Sequence, residues 1–337
     1  MHVMILISIL LSLAKPAQAG VQARQTPERK TLYGITALDE RTAMAVGESG
    51  TVARTTDGGK TWHYTEKAGK STADLYSVDF QDKRRGYAVG RGGTLLRTTN
   101  GGKLWKNLDS SSSYDLMGIC FSSPDTGWIV GSRGLILRTT NGGRKWVKMM
   151  SDVANDLWGL CFIDSRTGLV VGASGTIIKT TDGGNTWLKS RTNTDELFSA
   201  TNAVSFLYGV QFVDSATGWA CGGYGAIIKS TDGGISWTKQ NIREDADLFQ
   251  TDSFHYSVQF FDSQTGCIVG SDGVIMRTAN GGESWEKQQS NSLDVLHSVK
   301  RVNRKTAWAV GAYGAILKTE DAGLSWQQQA TKSGSEK

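Results

Sequence analysis

RGGTLLRTTNGGKLW, residues 91–105, reads as a glycine-rich loop, a short strand and a second glycine-rich turn. Taken alone it has the look of a phosphate cradle. The chain, however, repeats its second half: TTDGGKTW (55–62), TTNGGKLW (98–105), TTNGGRKW (139–146), TTDGGNTW (180–187), STDGGISW (230–237), TANGGESW (278–285) and TEDAGLSW (319–326). The closing tryptophans, Trp62, Trp105, Trp146, Trp187, Trp237, Trp285 and Trp326, are separated by 43, 41, 41, 50, 48 and 41 residues, a period in the range of propeller blades and other arrays. A catalytic loop is needed once; a phrase used in every repeat builds architecture.

Within the second repeat, LYSVDF (75–80), GYAVG (86–90), GTLLRTT (93–99) and KLWKNL (103–108) are β-branched and aromatic runs separated by turn residues. Four short antiparallel strands, here called A to D, make one blade. The expected fold is therefore all-β: a seven-bladed β-propeller of four-stranded antiparallel blades, with most sheet edges protected by ring closure. The copies run in phase from strand A of blade 1 to strand D of blade 7, so no blade is visibly split between the termini. Residues 21–30 are left as a candidate outer strand.

The phrase Thr/Ser-x-Asp/Asn-x-Gly-x-x-Trp is the Asp-box, or BNR repeat. Its polar residue, Asp57, Asn100, Asn141, Asp182, Asp232, Asn280 or Asp321, accepts hydrogen bonds from its own turn, while glycine takes the positive-φ position. Asn in three copies suits a turn and not a metal site or a general acid. The tryptophan supplies packing. Upstream, the Gly-x-x-Gly between strands B and C, as in Gly90/Gly93, is followed by a strand rather than the helix an anion site requires. It is a hairpin turn.

The 337-residue chain is 39% apolar and 20% charged, the composition of a globular protein with a large core. Residues 3–14, VMILISILLSLA, are apolar but shorter than the roughly 20 residues a bilayer needs, and AQA at 17–19 supplies a small-residue cleavage site. The expected organisation is a signal peptide (1–19), an N-terminal extension (20–30), one propeller (31–330) and a disordered tail (331–337), giving an exported, periplasmic monomer with no membrane span after cleavage. Cys120, Cys161, Cys221 and Cys267 lack CxxC spacing, so no metal, redox framework or cofactor is expected. Beyond the signal segment, basic residues outnumber acidic ones by 36 to 32, too slight an excess to imply nucleic acid.

Up-and-down topology puts the A–B and C–D turns on one face and the B–C and D–A loops on the other. On the first face the A–B turns of blades 7, 1 and 2, neighbours once the ring closes, carry Arg301, Arg304, Lys305, Arg41, Lys83, Arg84 and Arg85. They form a candidate basic patch for carboxylates or phosphates, in competition with a solvated rim partly neutralised by Asp39, Glu40 and Asp82. A basic residue precedes every box: Arg54, Arg97, Arg138, Lys179, Lys229, Arg277 and Lys318. Either their stems lie along the blade with the head in solvent or on a carboxylate, or they form a circular cationic track. On the second face strand A begins with Tyr33, Tyr76, Met117, Trp158, Tyr208, Tyr256 and His297, which either pack blades or frame the central opening. The longer intervals place insertions at 191–206 and 241–255, where binding loops would sit.

Asp-boxes also occur in sialidases and other glycoside hydrolases, which need two carboxylates across the sugar, with a tyrosine nucleophile in sialidases. Asp195, Glu196, Glu244, Asp245 and Asp247 are available but lie in loops without distinctive context, and the Arg-Ile-Pro signature is absent, the only prolines being Pro16, Pro27 and Pro124. No nucleophile or triad is evident around His63, His255 or His297. An Asp-box glycoside hydrolase or carbohydrate-binding propeller remains the alternative to a non-enzymatic scaffold.

The phrase GxxGxIxRTTDGGxxW, seven blades of it, an exported chain and arginine-bearing turns together resemble the photosystem II stability/assembly factor family across about residues 30–330. The resemblance implies a seven-bladed propeller of the thylakoid lumen or periplasm, non-catalytic, that helps assemble the D1 reaction-centre subunit through an arginine-rich patch. Its partner would be a membrane-protein subunit or its exported loop or tail. Many cyanobacterial members carry a lipoprotein cysteine at the cleavage site, where this chain has Gly20.

Overall fold

The computed structural model describes residues 30–192, 206–240 and 253–329. The segments expected to form the signal peptide, most of the N-terminal extension and the tail lie outside the described residues, as does most of both insertions. The repeats fold into seven sheets whose strands follow chain order, with each A strand against the A strands of its neighbours. This is the seven-bladed propeller of four-stranded antiparallel blades expected from the repeat. Blade 1 is Leu32–Ala37, Ala43–Gly47, Val52–Thr55 and His63–Thr65.

Burial peaks in strand B and falls away on both sides of it, towards the channel in strand A and towards the rim in strand D. All five residues of every B strand are buried, because B is flanked by neighbouring blades on both faces; hence its continuous apolar run rather than alternation. In every C strand the third residue alone is half-buried, and it is the repeated Lys or Arg.

In blade 2 strands A and B occupy the expected residues, but C is Leu95–Thr98 and D only Lys106–Leu108. The difference is conformational: Arg91–Gly93 curl into a single 3-10 turn with Gly92 and Gly93 at φ 62° and 76°, which cannot extend a strand. Residues 191–192, read from sequence as loop, pair in parallel with Ser236–Trp237 and give the blade 5 sheet a fifth strand.

The box works between blades. Its tryptophan sits in a core shared with the preceding blade: Trp187 clusters with Trp128, Val130 and Ile136 as well as with Leu157, Val170 and Ile178 of its own blade. Burying one tryptophan removes roughly 150–250 Å² from water, about 4–6 kcal/mol at about 25 cal/mol per Å². The second box glycine lies directly over the second residue of the preceding B strand, so that a Cβ on Gly59 would overlap the Trp308 ring, and one on Gly143 the Tyr87 ring. The aromatic neighbours donate to the box carbonyls, Tyr87 Oη to Gly142 O at 2.6 Å and Trp128 Nε1 to Gly183 O at 3.2 Å.

The repeated basic residue belongs to the same seam. Arg54 Nε donates to Gly101 O (2.9 Å), Lys229 Nζ to Gly281 O (2.8 Å), Arg277 Nε to Ala322 O (2.9 Å) and Lys318 Nζ to Gly58 O (3.1 Å). Arg138 reaches the Asn185 side chain at 2.8 Å, and Arg97 lies over the Tyr87 ring. Five of these heads, those of Arg54, Arg138, Lys229, Arg277 and Lys318, bridge to the next blade's box, a role not among those read from sequence, while Lys318 also meets a neighbouring carboxylate, Glu320, as one of those readings had it. Hydrogen bonds to charged donors contribute about 1.5–3 kcal/mol.

Blades 7 and 1 close the ring with the same parts and without exchanging a strand among the described residues. Trp62 and Trp308 meet edge to face at 5.4 Å, both fully buried, inside a cluster that joins Leu32, Ile35 and Ala45 to Val310 and Ile316.

Within each turn the box polar residue accepts the amide four positions on, for example Thr61 to Asp57 (3.0 Å), Leu104 to Asn100 (2.9 Å), Lys145 to Asn141 (2.9 Å) and Ser284 to Asn280 (3.0 Å). The Asp copies gain a hydroxyl on the second oxygen, from Thr61, Thr186, Ser236 or Ser325. Burial opposes ionisation of Asp57 and Asp232, but these bonds outweigh it and hold both carboxyls down to about 2; Asp182 and Asp321 are lowered too, Asp182 chiefly by Thr186.

Two outcomes follow. Gly58 and Gly59 both have positive φ (79° and 89°), but only Gly59 faces a ring. Gly58→Ala costs about 1 kcal/mol of left-handed strain; Gly59→Ala adds overpacking and costs about 2–4 kcal/mol, measured by denaturant unfolding. Equal losses would remove the wedge from the account. Carboxyls depressed below their unfolded value of about 3.9 stabilise the fold above that pH, and the contribution is lost as pH falls through about 2. Thermal midpoints should therefore hold steady near neutrality and drop from about pH 4 downward. A variant with Asn at 57, 182, 232 and 321 should fall less steeply, and an unchanged acid limb would contradict the assignment.

Candidate functional site

The boxes and the A–B turns share one face and are tied together. The first residue of each box glycine pair donates its amide to an A–B carbonyl: Gly58 to Arg41 O (2.9 Å), Gly101 to Arg84 O (2.9 Å) and, in blade 7, Ala322 to Lys305 O (2.8 Å). The same turns are closed from within. Asp39 Oδ1 accepts the amides of Arg41 and Thr42, Asp82 Oδ1 those of Arg84 and Arg85, and Asn303 Oδ1 those of Lys305 and Thr306. Backbone pinned on two sides thus presents exposed Arg41, Arg84, Arg304 and Lys305.

These side chains are not equally available. Arg41, Arg304 and Lys305 line an open cleft of about 620 Å³ at the junction of blades 7 and 1, with Glu40, Asn303, Lys318 and Glu320. The two acids there have partners already: Glu40 accepts from Asn303 Nδ2 at 2.8 Å and Glu320 pairs with Lys318 at 2.6 Å. Lys83 crosses from blade 2 to Asp39 of blade 1 at 2.6 Å, an ion pair that holds the Asp39 carboxyl at about 2. Arg85 is bound to Asp82 at 2.7 Å. Arg301 occupies the last position of strand A in blade 7, and its Nη1 turns back to Phe261 O of blade 6 at 2.6 Å. Of the seven residues grouped from sequence, the structure brings Arg41, Arg304 and Lys305 into one cleft, sets Lys83, Arg84 and Arg85 on the adjoining turn, and directs Arg301 away.

The A strands line a central channel of about 490 Å³. Its wall carries the fifth residue of six of these strands, Asp79, Cys120, Cys161, Gln211, Gln259 and Lys300. Several reach the next blade's backbone; Phe121 N donates to Asp79 Oδ2 at 2.8 Å and Arg301 N to Gln259 Oε1 at 3.3 Å. Burial raises the Asp79 pKa while the Lys300 charge lowers it. Sequence reading missed this polar ring, although aligning the repeats on strand A would have exposed it. All four cysteines are free, and burial pushes the Cys120 and Cys267 thiols up to about 12, which keeps them protonated and unreactive. Among the described residues no group of His, Cys, Asp and Glu is arranged to hold a metal. The carboxylates weighed for glycoside hydrolysis, Asp195, Glu196, Glu244, Asp245 and Asp247, lie outside the described residues.

At the other end of the channel the second residues of the A strands line the opening, one of the two roles read from sequence, and touch across neighbouring blades. Tyr33 contacts Tyr76 (5.7 Å between centroids) and His297 (5.2 Å); Tyr256 contacts His297 (5.3 Å) and Tyr208 (5.2 Å); Trp158 contacts Tyr208 (4.9 Å). With Met117 these rings make a collar around the mouth.

The fold has counterparts among known proteins. No curated protein matches the chain in sequence. A solved structure described as YCF48 bound to D1 peptide superimposes with a TM-score of 0.70 at 19% identity, covering 87% of this chain and 92% of that one. YCF48 from Cyanidioschyzon merolae gives 0.68 at 18%, covering 88% and 97%. The GH74 xyloglucanase from Xanthomonas campestris gives 0.68 at 12%, covering 90% of this chain and 55% of that one. At such identities the three structures share the fold. Residues 16–99 and 198–335 match the family described as Photosynthesis system II assembly factor YCF48, and the chain belongs to that family.

Proposed function

We propose that this propeller is a non-catalytic, exported assembly factor that binds a membrane-protein subunit of photosystem II, and that the cleft between blades 7 and 1 receives an anionic segment of that partner. The observation that carries the reading is the cleft itself. Arg41, Arg304 and Lys305 line it on turns whose backbone is fixed by box amides and Asx contacts, and its acids are occupied by Asn303 and Lys318. The planar guanidinium fork pairs bidentately with a carboxylate and is pre-organised for it. The solved relative bound to a D1 peptide supports a partner of this class, and the apolar segment at 3–14 followed by AQA supports export. Among the described residues no helix is long and apolar enough to cross a membrane. The xyloglucanase likeness is one of fold and supports no chemistry.

A labelled peptide from the D1 carboxyl-terminal tail, ending in its free carboxylate, tests the reading by fluorescence anisotropy. Arg41→Glu combined with Arg304→Glu should weaken binding roughly tenfold or more, and amidating the peptide's terminus should weaken it as well. Affinity should fall as salt rises. A double variant that folds normally and binds the peptide as tightly as the parent would contradict the assignment.

A further inference from the structure

The collar at the channel mouth, on the face opposite the basic cleft, is a second docking site, and we propose that its ligand is cationic: a Lys or Arg side chain of a partner segment. The inference goes beyond the reading above and concerns a different surface.

The collar is more aromatic than blade packing requires. The seams are already filled by the residues on either side of it in strand A, such as Leu32 and Ile35, Leu75 and Val78, and Leu207 and Val210, all buried. The collar rings touch one another around the opening instead of entering a seam, and each is only half-buried. Phe206 and Phe254 extend the aromatic surface from Trp158 and Tyr208. Met117 and His297 at the same position show that other side chains fit there.

Carboxylates stand around these rings. Asp74, Asp115 and Asp156 each precede a strand A and accept a backbone amide of the preceding blade's B–C turn, from Ser49 (2.9 Å), Gly92 (2.7 Å) and Arg133 (2.8 Å). Glu48 and Asp272 lie in B–C turns on the same face. Their field reaches the collar: Tyr33 is raised by burial and then by Asp74 and Glu48, Tyr76 by burial and then by Asp115 and Asp74, and Tyr256 by burial and then by Asp272. Arg91 opposes it at Tyr76, while Arg133 lies over Tyr114 at 5.4 Å. Burial pushes His297 down to about 4, so the collar itself carries no cation near neutral pH. Aromatic faces inside a negative field attract cations and repel the carboxylate that suits the opposite cleft.

The test uses the full chain and a short amidated arginine-rich peptide, its citrulline isostere and tetramethylammonium, followed by calorimetry and the Trp158 indole NMR signal. The arginine peptide should bind at least tenfold tighter than the citrulline peptide, and both it and tetramethylammonium should shift the Trp158 signal. Tyr208→Leu and Asp74→Asn should each weaken it several-fold, while Arg41→Glu/Arg304→Glu should not, which separates this result from the fate of the cleft. The peptide pair keeps the test decisive if a collar variant misfolds. Equal affinity for the two peptides, or shifts that leave Trp158 untouched, would overturn the proposal, as would binding of xyloglucan oligosaccharides at Trp158 in place of the cation.

Discussion

The contact on which the molecule depends is the one between a box glycine and the blade before it. A propeller blade cannot bury its faces alone; each must meet a neighbour at close range along the whole of strands B and C. Glycine without a Cβ lets the C–D turn slide over the second residue of the preceding B strand, and the Lys or Arg paired with that residue across the sheet, as Trp219 pairs with Lys229 or Trp308 with Lys318, then caps the turn's carbonyl. One short phrase therefore sets turn, wedge and bridge together.

The gap at each seam has a fixed volume that different residues fill. Trp128 stacks on Phe162 at 3.4 Å and Trp219 on Phe260 at 3.5 Å, each phenylalanine standing edge-on to its own box tryptophan. Blade 1 has Ala37 where those blades have phenylalanine, and there the two tryptophans touch directly. At the seam of blades 6 and 7 the small Cys267 and the departure of Arg301 are made good by buried Phe261. Dense packing demands the volume, not the residue, which accounts for repeats that share a phrase and little else.

The inner strands were legible because the continuously buried apolar run of strand B, bounded by turn residues and repeated in every blade, leaves few choices. The A and B strands of blade 2 lie where the pattern of residues 75–90 puts them. Strand ends were less so, since a left-handed residue such as Gly93 reads like strand until its φ is known. The cation before each box was visible as a regularity, but its partner is a carbonyl some distance along the chain, 47 residues for Arg54, and no local pattern announces it. Ring geometry foresaw that Arg41, Arg304 and Lys305 lie together; it placed in a turn Arg301, which register assigns to the end of a strand. The boxes agree in every blade and make the frame, whereas the cleft and the acidic margin of the collar arise where the blades differ.

If all seams are alike, the position of the termini carries no stability. Joining residue 329 to residue 30 through a linker as long as residues 109–115, which make the equivalent connection between blades 2 and 3, and opening the chain there yields a permuted propeller. Its denaturant unfolding should remain a single cooperative transition within about 1 kcal/mol of the parent. Unfolding in separate steps, or a loss of several kcal/mol, would show that the seam between blades 7 and 1 is not the equal of the rest.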